Sequence, residues 1–336
     1  MEVGFMMRKS FKKVTGLVLV ALLIFSLFTG CAGRAEEVPP AEEPATTEAA
    51  VTPADGEKVR AAFVYAKSAD DGGWFSAQER GRQYLIEQLP YVETTMLENV
   101  PAGTDARNAF KKSAREGYQA IFAAEFSYMD DVVAVAKEFP ETKFFHAAGF
   151  QRADNLSTYF WRGYEGRYLT GLLAGQLTES NIIGYSAAFP IPSVIQGINA
   201  FTLGLHETNP EAKVKVVWCN TWFDPGIEMD AANSLLDVGA DVLCYHVSAP
   251  STVQAADERG AYSIGYDSDR REFGENSLIT SIVCDWGPYF VQEIEKIKNG
   301  NWESSDYWGG LSDGSVELID YGPMVTDEMK AMVEER

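Results

Sequence analysis

Aromatic rings and carboxylates follow the apolar runs of this sequence, where they could bind a ligand together. The first run, residues 59–65, is followed by Asp71, a Gly72-Gly73 pair and Trp74. Rings can stack on a flat heterocycle, while carboxylates, amides and hydroxyls can bond to its polar edge. The candidate ligand-binding residues are Asp71, Trp74, Phe126, Tyr128, Arg162, Glu165, Trp222, His246, Asp267 and Trp286. Acidic groups outnumber basic ones in this set, which disfavours a phosphate ligand.

Several of these candidates also have a structural interpretation, and at the level of sequence both interpretations stay open. Trp74 could pack on the core where it begins a helix, and Asp71 could cap that helix. Trp222 could fill space between lobes. Arg162 and Glu165 could form an ion pair that serves only the fold.

The elements that must position these residues are strands and helices in regular alternation. The strand–helix pattern runs from residue 59 to 177 and is repeated from residue 182 to 299. Uninterrupted apolar runs between helices are typical of parallel strands buried on both faces. The repeat predicts an α/β fold of two Rossmann-like lobes. Ligands of such sheets bind beyond the carboxyl ends of the strands, so we expect the candidates to face an interlobe cleft.

The spacing of cysteines and histidines indicates neither a metal nor a cofactor. Apart from Cys31, these residues are Cys219, Cys244, Cys284, His146, His206 and His246. The cysteines lie in apolar runs without CxxC spacing, and no HExxH, phosphate-loop or GxSxG pattern occurs. His246 could contact a ligand or be an ordinary hydrogen-bonded residue at a strand end. These observations predict a binding protein rather than an enzyme.

The start of the chain has the features of an export signal. Four basic residues against one acidic residue precede a mostly apolar run over residues 17–28. A membrane-spanning helix needs about 20 apolar residues, so the run fits a signal peptide at residues 1–30 better than an anchor. Leu27-Phe28-Thr29-Gly30-Cys31 resembles a bacterial lipobox, which implies lipidation of Cys31. Several acyl chains would then hold the protein stably on the membrane.

Residues 32–57 are rich in Pro, Ala, Thr and Glu and contain no aromatic residue. Such a composition cannot bury enough surface to fold, so residues 31–57 are predicted to form a lipidated Cys followed by a disordered tether. The full chain carries a charge of −21, which becomes −24 without the first 30 residues. A polyanion of this size is repelled by nucleic acid, so no nucleic-acid partner is expected.

Several short segments of the sequence, taken together, are specific enough to indicate a protein family. It comprises Asp71-Gly72-Gly73-Trp74, Glu79-Arg80-Gly81-Arg82, Leu97-Glu98-Asn99-Val100-Pro101, Tyr164-Glu165-Gly166-Arg167-Tyr168, Gln196-Gly197-Ile198-Asn199, Asn220-Thr221-Trp222-Phe223-Asp224-Pro225 and Asp285-Trp286-Gly287-Pro288-Tyr289. With these segments, the sequence from residue 58 onward resembles the basic membrane protein family of ABC-transporter substrate-binding lipoproteins. The resemblance implies a type I periplasmic-binding fold with a hinge, a purine base or nucleoside as ligand, and permease and ATPase partners.

The resemblance also bears on which purine is bound. Trp74 stands where nucleoside-binding members tend to have a stacking Phe, and Asp267 matches the acidic residue that holds ribose hydroxyls. Cys284 falls near a ribose-binding Lys, and Cys244 near a second stacking Phe. The two cysteines favour a free base such as adenine, whereas Asp267 favours a nucleoside. The prediction is a purine, with the base slightly ahead.

The predicted boundaries give a first lobe of residues 58–162 with 279–303 and a second lobe of residues 163–278 with 304–336. Such a lipoprotein is expected at the extracytoplasmic face of the cell membrane. Two other functions stay open. One is a surface receptor that passes ligand occupancy to a sensor, and the other is a nucleoside hydrolase, for which the Asp70-Asp71 pair is the only hint.

Overall fold

The computed structural model describes residues 58–336. The predicted signal peptide, Cys31 and the predicted tether lie outside these residues. No helix within residues 58–336 has the length and apolar character needed to cross a membrane.

The first half of the described chain alternates strands and helices, as predicted. Its elements are β1 (Val59–Val64), α1 (Trp74–Gln88), β2 (Val92–Leu97), α2 (Thr104–Arg115), β3 (Ala120–Ala123), α3 (Met129–Glu138), β4 (Lys143–Ala147) and β5 (Leu156–Trp161). The strands pair in the order β5-β4-β3-β1-β2, and every pairing is parallel. Most residues of β1, β3, β4 and β5 are buried, which explains why these strands appear in the sequence as apolar runs, whereas β2 lies at the edge of the sheet and buries only Val92.

The second half repeats the scheme after a long helix. Its elements are α4 (Gly163–Leu177), β6 (Ile182–Ala187), α5 (Pro192–Thr208), β7 (Lys213–Trp218), α6 (Pro225–Asp237), β8 (Val242–His246), α7 (Ser251–Arg259), β9 (Tyr262–Asp267) and β10 (Leu278–Cys284). The strand order β10-β9-β8-β6-β7 is the same as in the first sheet. In both sheets the order reverses beside the first strand, which is where open α/β sheets bind ligands.

The last part of the chain crosses between the sheets. Its elements are α8 (Gly287–Lys298), β11 (Asp306–Gly309), β12 (Val316–Ile319) and α9 (Asp327–Glu335). Strand β11 adds to β5 in the first sheet, whereas β12 pairs antiparallel with β10 in the second.

The predicted lobe boundaries are therefore wrong for two strands. Residues 279–303 were assigned to the first lobe, but β10 pairs with β9 in the second sheet. Residues 304–336 were assigned to the second lobe, but β11 belongs to the first sheet. A strand buried on both faces has the same apolar pattern in either sheet, and β11 is too short and polar to stand out. Neither β11 nor β12 was predicted.

A ladder of phenylalanines holds α1 and α8 against the first sheet. Phe63, Phe122 and Phe145 are register partners on β1, β3 and β4, with ring centroids 4.5 and 4.4 Å apart. Phe290 of α8 lies 4.7 Å from Phe122. A Cβ atom on Gly81 of α1 would come within 2.8 Å of Phe290. Only glycine therefore lets α1 approach so closely, and this packing fixes the amino-terminal end of α1.

In the second lobe, glycines bring α4 and α5 into backbone contact. A Cβ atom on Gly171 would lie 2.2 Å from the Phe201 carbonyl oxygen, and one on Gly204 would lie 2.0 Å from the Tyr168 carbonyl oxygen. Larger residues at either position would push the helices apart. The close contact joins the carboxyl-terminal half of α5 to α4.

Candidate functional site

One cavity lies where the carboxyl ends of the two sheets face each other. Its empty volume is about 710 Å³, part of it open to solvent. The first lobe lines it with Lys67, Asp71, Trp74, Phe75, Glu125, Phe126, Ala148, Phe160 and Trp161. The second lobe lines it with Ile191, Ser193, Trp222, Phe223, His246, Val247, Ser248, Tyr266 and Asp267. Most of these residues follow a strand, as the fold requires.

Trp74 begins α1 and presents its ring to the cavity. Its indole N–H donates to the Ala124 carbonyl oxygen at 2.7 Å, so the ring has no free polar atom to offer a ligand. Trp286 packs edge-on against it with centroids 5.7 Å apart, and Phe160 lies at 6.0 Å. The ring is thus fixed from several sides and can contribute a rigid stacking face.

Asp71 caps the helix that begins at Trp74. Its carboxylate accepts hydrogen bonds from the backbone N–H groups of Gly73, Phe75 and Ser76 at 2.8, 3.2 and 3.0 Å. Burial raises the pKa of Asp71, while these hydrogen bonds work in the opposite direction. Both interpretations of Asp71 remain compatible with its place on the cavity wall, but its oxygens are already bonded.

His246 ends β8 and is nearly buried at the cavity wall. Its Nε2 atom lies 3.0 Å from the Tyr266 hydroxyl, whereas Nδ1 has no hydrogen-bond partner within residues 58–336. Burial lowers the pKa of His246 well below its ordinary value, and the charge of Arg167 lowers it further. The imidazole is therefore neutral at pH 7 and has one open nitrogen.

Asp267 ends β9 with a left-handed backbone, at φ of 63°. Its side chain is 3% exposed, and Oδ1 has no hydrogen-bond partner among the described residues. Burial raises the pKa of Asp267 to about 7, an effect that Arg270 opposes and Asp71 reinforces. A buried carboxylate oxygen without a hydrogen-bond partner must be satisfied by a ligand, a water molecule or a proton.

Two arginines that the sequence did not single out surround Asp267. Arg80 of α1 donates to the Asp267 carbonyl oxygen at 2.8 Å and to Ser268 Oγ at 2.9 Å, so it connects the two lobes. Arg270 is buried and donates to the Ser248 carbonyl oxygen at 2.8 Å. Arg80 lies within a helix rather than after a strand, so the strand-end rule could not find it.

The lobes also touch directly beside Trp74. A Cβ atom on Gly73 would lie 2.7 Å from Cβ of Ser248 in the other lobe. Together with the Arg80 contacts, this approach shows that the structure has the lobes closed around the cavity at this edge. Gly73 is therefore required by space, and Gly72 by its left-handed backbone at φ of 67°.

Six of the predicted site residues line the cavity and four do not. Those on its wall are Asp71, Trp74, Phe126, Trp222, His246 and Asp267. Tyr128 instead lies in the core and donates to the Val100 carbonyl oxygen at 2.5 Å. Trp286 is fully buried behind Trp74 and can act on a ligand only through it.

Arg162 and Glu165 lie where the chain passes from the first lobe to the second. Their side chains approach to 3.8 Å, and Glu165 also accepts a hydrogen bond from the Leu311 backbone N–H at 2.9 Å. The structure therefore favours the structural interpretation for this pair. The cavity residues outside the ten candidates include Phe160, Trp161 and Tyr266. Trp161 and Tyr266 directly follow apolar runs, so the strand-end pattern could have indicated them, whereas Phe160 is the last residue of its run.

The geometry defines a class of protein before any comparison. Two α/β lobes of equal strand order, joined by crossing segments and enclosing one cavity, are a type I periplasmic-binding fold. An ABC transporter solute-binding protein from Conexibacter woesei superimposes with a TM-score of 0.69 at 20% identity, over 82% of this chain and 94% of that one. The predicted fold class is confirmed.

Sequence comparison identifies the family. Residues 58–336 match the Bmp family, described as ABC transporter substrate-binding protein PnrA-like. The chain belongs to this family, as predicted, and is thus an ABC-transporter substrate-binding protein.

Two relatives are similar over most of their length. A purine-binding protein of Brucella abortus is 41% identical, covering 83% of this chain and 80% of its own. A putative ABC transporter glucose-binding protein of Haloferax volcanii is 40% identical, covering 84% of this chain and 72% of its own.

Proposed function

We propose that this protein binds a purine, a free base ahead of a nucleoside, and delivers it to an ABC importer. The observation that carries the proposal is the arrangement around Trp74. A fixed indole face from the first lobe shares the cavity with two open polar atoms of the second, His246 Nδ1 and Asp267 Oδ1. A flat heterocycle with polar edge atoms can use both kinds of contact at once. The purine-binding relative supports the same ligand class.

The preference for a base over a nucleoside rests on two positions of the second lobe that have cysteines instead of the residues expected to bind a nucleoside. Cys244 and Cys284, where the resemblance implies a stacking Phe and a ribose-binding Lys, are both buried and line neither wall of the cavity. A ribose would therefore lose a cationic partner and a ring.

The ten residues proposed as the site now have distinct roles. Trp74 stacks, His246 and Asp267 bond to the ligand edge, and Phe126 and Trp222 add apolar surface at the wall. Asp71 and Trp286 hold Trp74 in place. Tyr128, Arg162 and Glu165 stabilise the surrounding fold.

The lobes close around the ligand without making or breaking a covalent bond. A ligand favours the closed form only through its additional contacts in that form, and here those contacts come from the second lobe. The family assignment makes a permease and an ATPase the partners of the closed form. We further propose that residues 1–30 are removed and that lipidated Cys31 holds the protein at the extracytoplasmic face of the membrane.

A surface receptor of the same fold and a nucleoside hydrolase are weaker alternatives. A receptor would use the same cavity, and its gene would lie apart from permease and ATPase genes. The hydrolase suggested by the Asp70-Asp71 pair would need Asp71 as a free carboxylate for acid–base work, but the Asp71 oxygens accept hydrogen bonds from backbone N–H groups. An assay for ribose release from inosine and adenosine tests it.

Calorimetric titration of the purified protein with adenine, hypoxanthine, adenosine, inosine and glucose tests the main proposal. We expect saturable binding of at least one base, weaker binding of the matching nucleoside, and none of glucose. Glucose is included because of the Haloferax relative. Binding of glucose without any purine would overturn the proposal.

A further inference from the structure

A smaller side pocket adjoins the main cavity in the second lobe. It has an empty volume of about 270 Å³, lies between Arg167, Gly197 and His246, and shares Ser193, His246 and Tyr266 with the main cavity. A substituent of a ligand stacked on Trp74 could therefore enter it. Of the contacts proposed so far, only that of His246 borders this space.

The amino-terminal ends of two helices border the side pocket. Ser193 and Gly197 belong to the first turns of α5, a helix of 17 residues whose N-cap, Ile191, makes no side-chain hydrogen bond. Gly163 begins α4, a helix of 15 residues that likewise lacks a side-chain cap. Helix amino-terminal ends carry partial positive charge and unbonded N–H groups. Both favour an electron-rich group in the pocket.

The open nitrogen of His246 faces the same pocket. A Cβ atom built on Gly197 would lie 3.6 Å from His246 Nδ1, so that only the hydrogen of Gly197 separates this nitrogen from the helix. His246 is 9% exposed, and Nδ1 has no hydrogen-bond partner within the part of the chain described here. The unpartnered Nδ1 atom of His246 is thus a second feature, independent of the helix ends, that indicates a ligand atom in the pocket.

The contact with Tyr266 determines what His246 Nδ1 can offer. The Tyr266 hydroxyl has His246 Nε2, at 3.0 Å, as its hydrogen-bond partner. If the hydroxyl donates, Nε2 accepts, and Nδ1 carries the proton. The opposite arrangement would leave the hydroxyl proton without an acceptor as well as Nδ1 without a donor, at greater cost. Arg167 lies 3.9 Å from the centre of the Tyr266 ring and makes the phenol a stronger donor.

Arg167 adds a further donor and a positive charge. It is buried, and its terminal nitrogens donate to Cys244 Sγ at 2.9 Å and to the Tyr245 carbonyl oxygen at 2.5 Å. Its Nε–H has no partner within residues 58–336, and no carboxylate there forms an ion pair with it. The polar groups identified at the side pocket are therefore donors, and Arg167 adds a positive charge beside them.

We propose that this pocket binds an exocyclic oxygen of the ligand, so that the protein prefers a 6-oxopurine such as hypoxanthine to adenine. The inference rests on the purine proposal and refines its ligand class. An oxo group projects from the ring and only accepts hydrogen bonds, as His246 Nδ1–H and the helix ends require. An amino group in the same place would set donor against donor. The neighbouring N1–H of an oxopurine is a donor suited to Asp267.

The first test compares hypoxanthine, adenine and unsubstituted purine by calorimetry. We expect hypoxanthine to bind at least about tenfold more tightly than adenine, because a site built for an oxygen penalises the analogue that lacks it. Equal affinity, or tighter binding of adenine, would overturn the inference while leaving the purine proposal intact. If none of the three binds, the purine proposal itself fails.

Gly197→Ala fills the side pocket with one methyl group. The new Cβ makes ordinary contacts, the nearest at 3.6 Å, and alanine suits a helix better than glycine, so the variant is expected to fold. Hypoxanthine affinity should fall about tenfold or more, while unsubstituted purine changes less than about twofold. Gly226→Ala, on another helix away from both cavities, is the matched control. Equal losses for both ligands would contradict the proposed role.

The tautomer of His246 can be observed directly. Long-range ¹H–¹⁵N spectra of the unliganded protein should show the proton on Nδ1, and Tyr266→Phe should shift the population towards Nε2–H. The preference for hypoxanthine should weaken in the same variant, which keeps the ring beside Arg167. A proton found on Nε2 in the unaltered protein would overturn the donor assignment.

Discussion

The buried polar groups that the two lobes bring to the cavity differ in whether they are already hydrogen-bonded. In the first lobe, the Trp74 indole N–H is bonded to Ala124 and the Asp71 carboxylate to the start of α1. In the second lobe, His246 Nδ1 and Asp267 Oδ1 have no partner among residues 58–336. At Trp74 and Asp71 the first wall is therefore complete by itself, whereas the second is open at His246 and Asp267.

This difference indicates a division of labour in binding. Around Trp74 the first lobe offers a ring face, which accepts any flat ligand. Open buried groups each cost about 1–3 kcal/mol, and a ligand that bonds to them recovers that cost. Because the open groups belong to the second lobe, discrimination between ligands and the gain on closure should both arise there.

The largest expected effect concerns the open carboxylate of the second lobe. The pKa of Asp267 is raised from 3.8 to about 7, so the folded state holds its proton more firmly than the unfolded state. Its contribution is most favourable at low pH and is lost as the pH rises from about 4 to 7, up to about 4 kcal/mol in all. Thermal unfolding without ligand should show this slope, and Asp267→Asn should flatten it. Asp327→Asn, at the surface, is the control; equal slopes in both variants would contradict the assignment.

The next effect concerns the ring face of the first lobe. Trp74→Ala should weaken purine binding by about 1–3 kcal/mol, the range for stacking of a base on an aromatic ring. Trp74→Phe keeps a ring and should lose less, because its missing N–H bonds to protein rather than to ligand. Calorimetry with Trp302→Ala, on the same lobe but away from the cavity, provides the reference. Unchanged affinity in Trp74→Ala would remove the stacking role.

The smallest effect distinguishes a cap from a ligand contact. Asp71→Ala should cost about 1 kcal/mol of unfolding free energy through loss of the helix cap, and Asp71→Ser should restore most of it. Purine affinity should follow this recovery, since the cap positions Trp74. If Asp71→Ser unfolds normally but binds about tenfold more weakly, the carboxylate contacts the ligand and the first wall is not complete after all.

Much of the fold could be predicted, because strands buried on both faces leave a local record in the sequence. The alternation of apolar runs and helices places β1 to β10 and α1 to α8 within a few residues of their observed bounds. This alternation could not show to which of the two sheets a given strand belongs. The allocation of β10 and β11 depends on where the chain crosses, and this crossing goes with the packing of α8 on the first sheet and on α1 rather than with any local pattern.

The site could be predicted in part for the same reason. The strand-end rule finds Trp74, Trp222, His246 and Asp267, because sheet geometry brings carboxyl ends together. It fails for Tyr128, which lies two residues beyond Phe126 on a short turn and points into the core instead. Residues close in sequence can face opposite ways at a turn, and their types alone do not reveal which.

The sequence by itself determined the α/β class, the repeat that makes two lobes, the family and the aromatic character of the cavity. Each of these follows from periodicity or from short contiguous segments. Only the tertiary structure decided which polar atoms are bonded and which are open, and it alone brought Arg80 and Arg167 to the site. Hydrogen bonds such as those of Arg80 join residues 187 and 188 positions apart. The state of a buried polar atom depends on such distant partners, which no local pattern records.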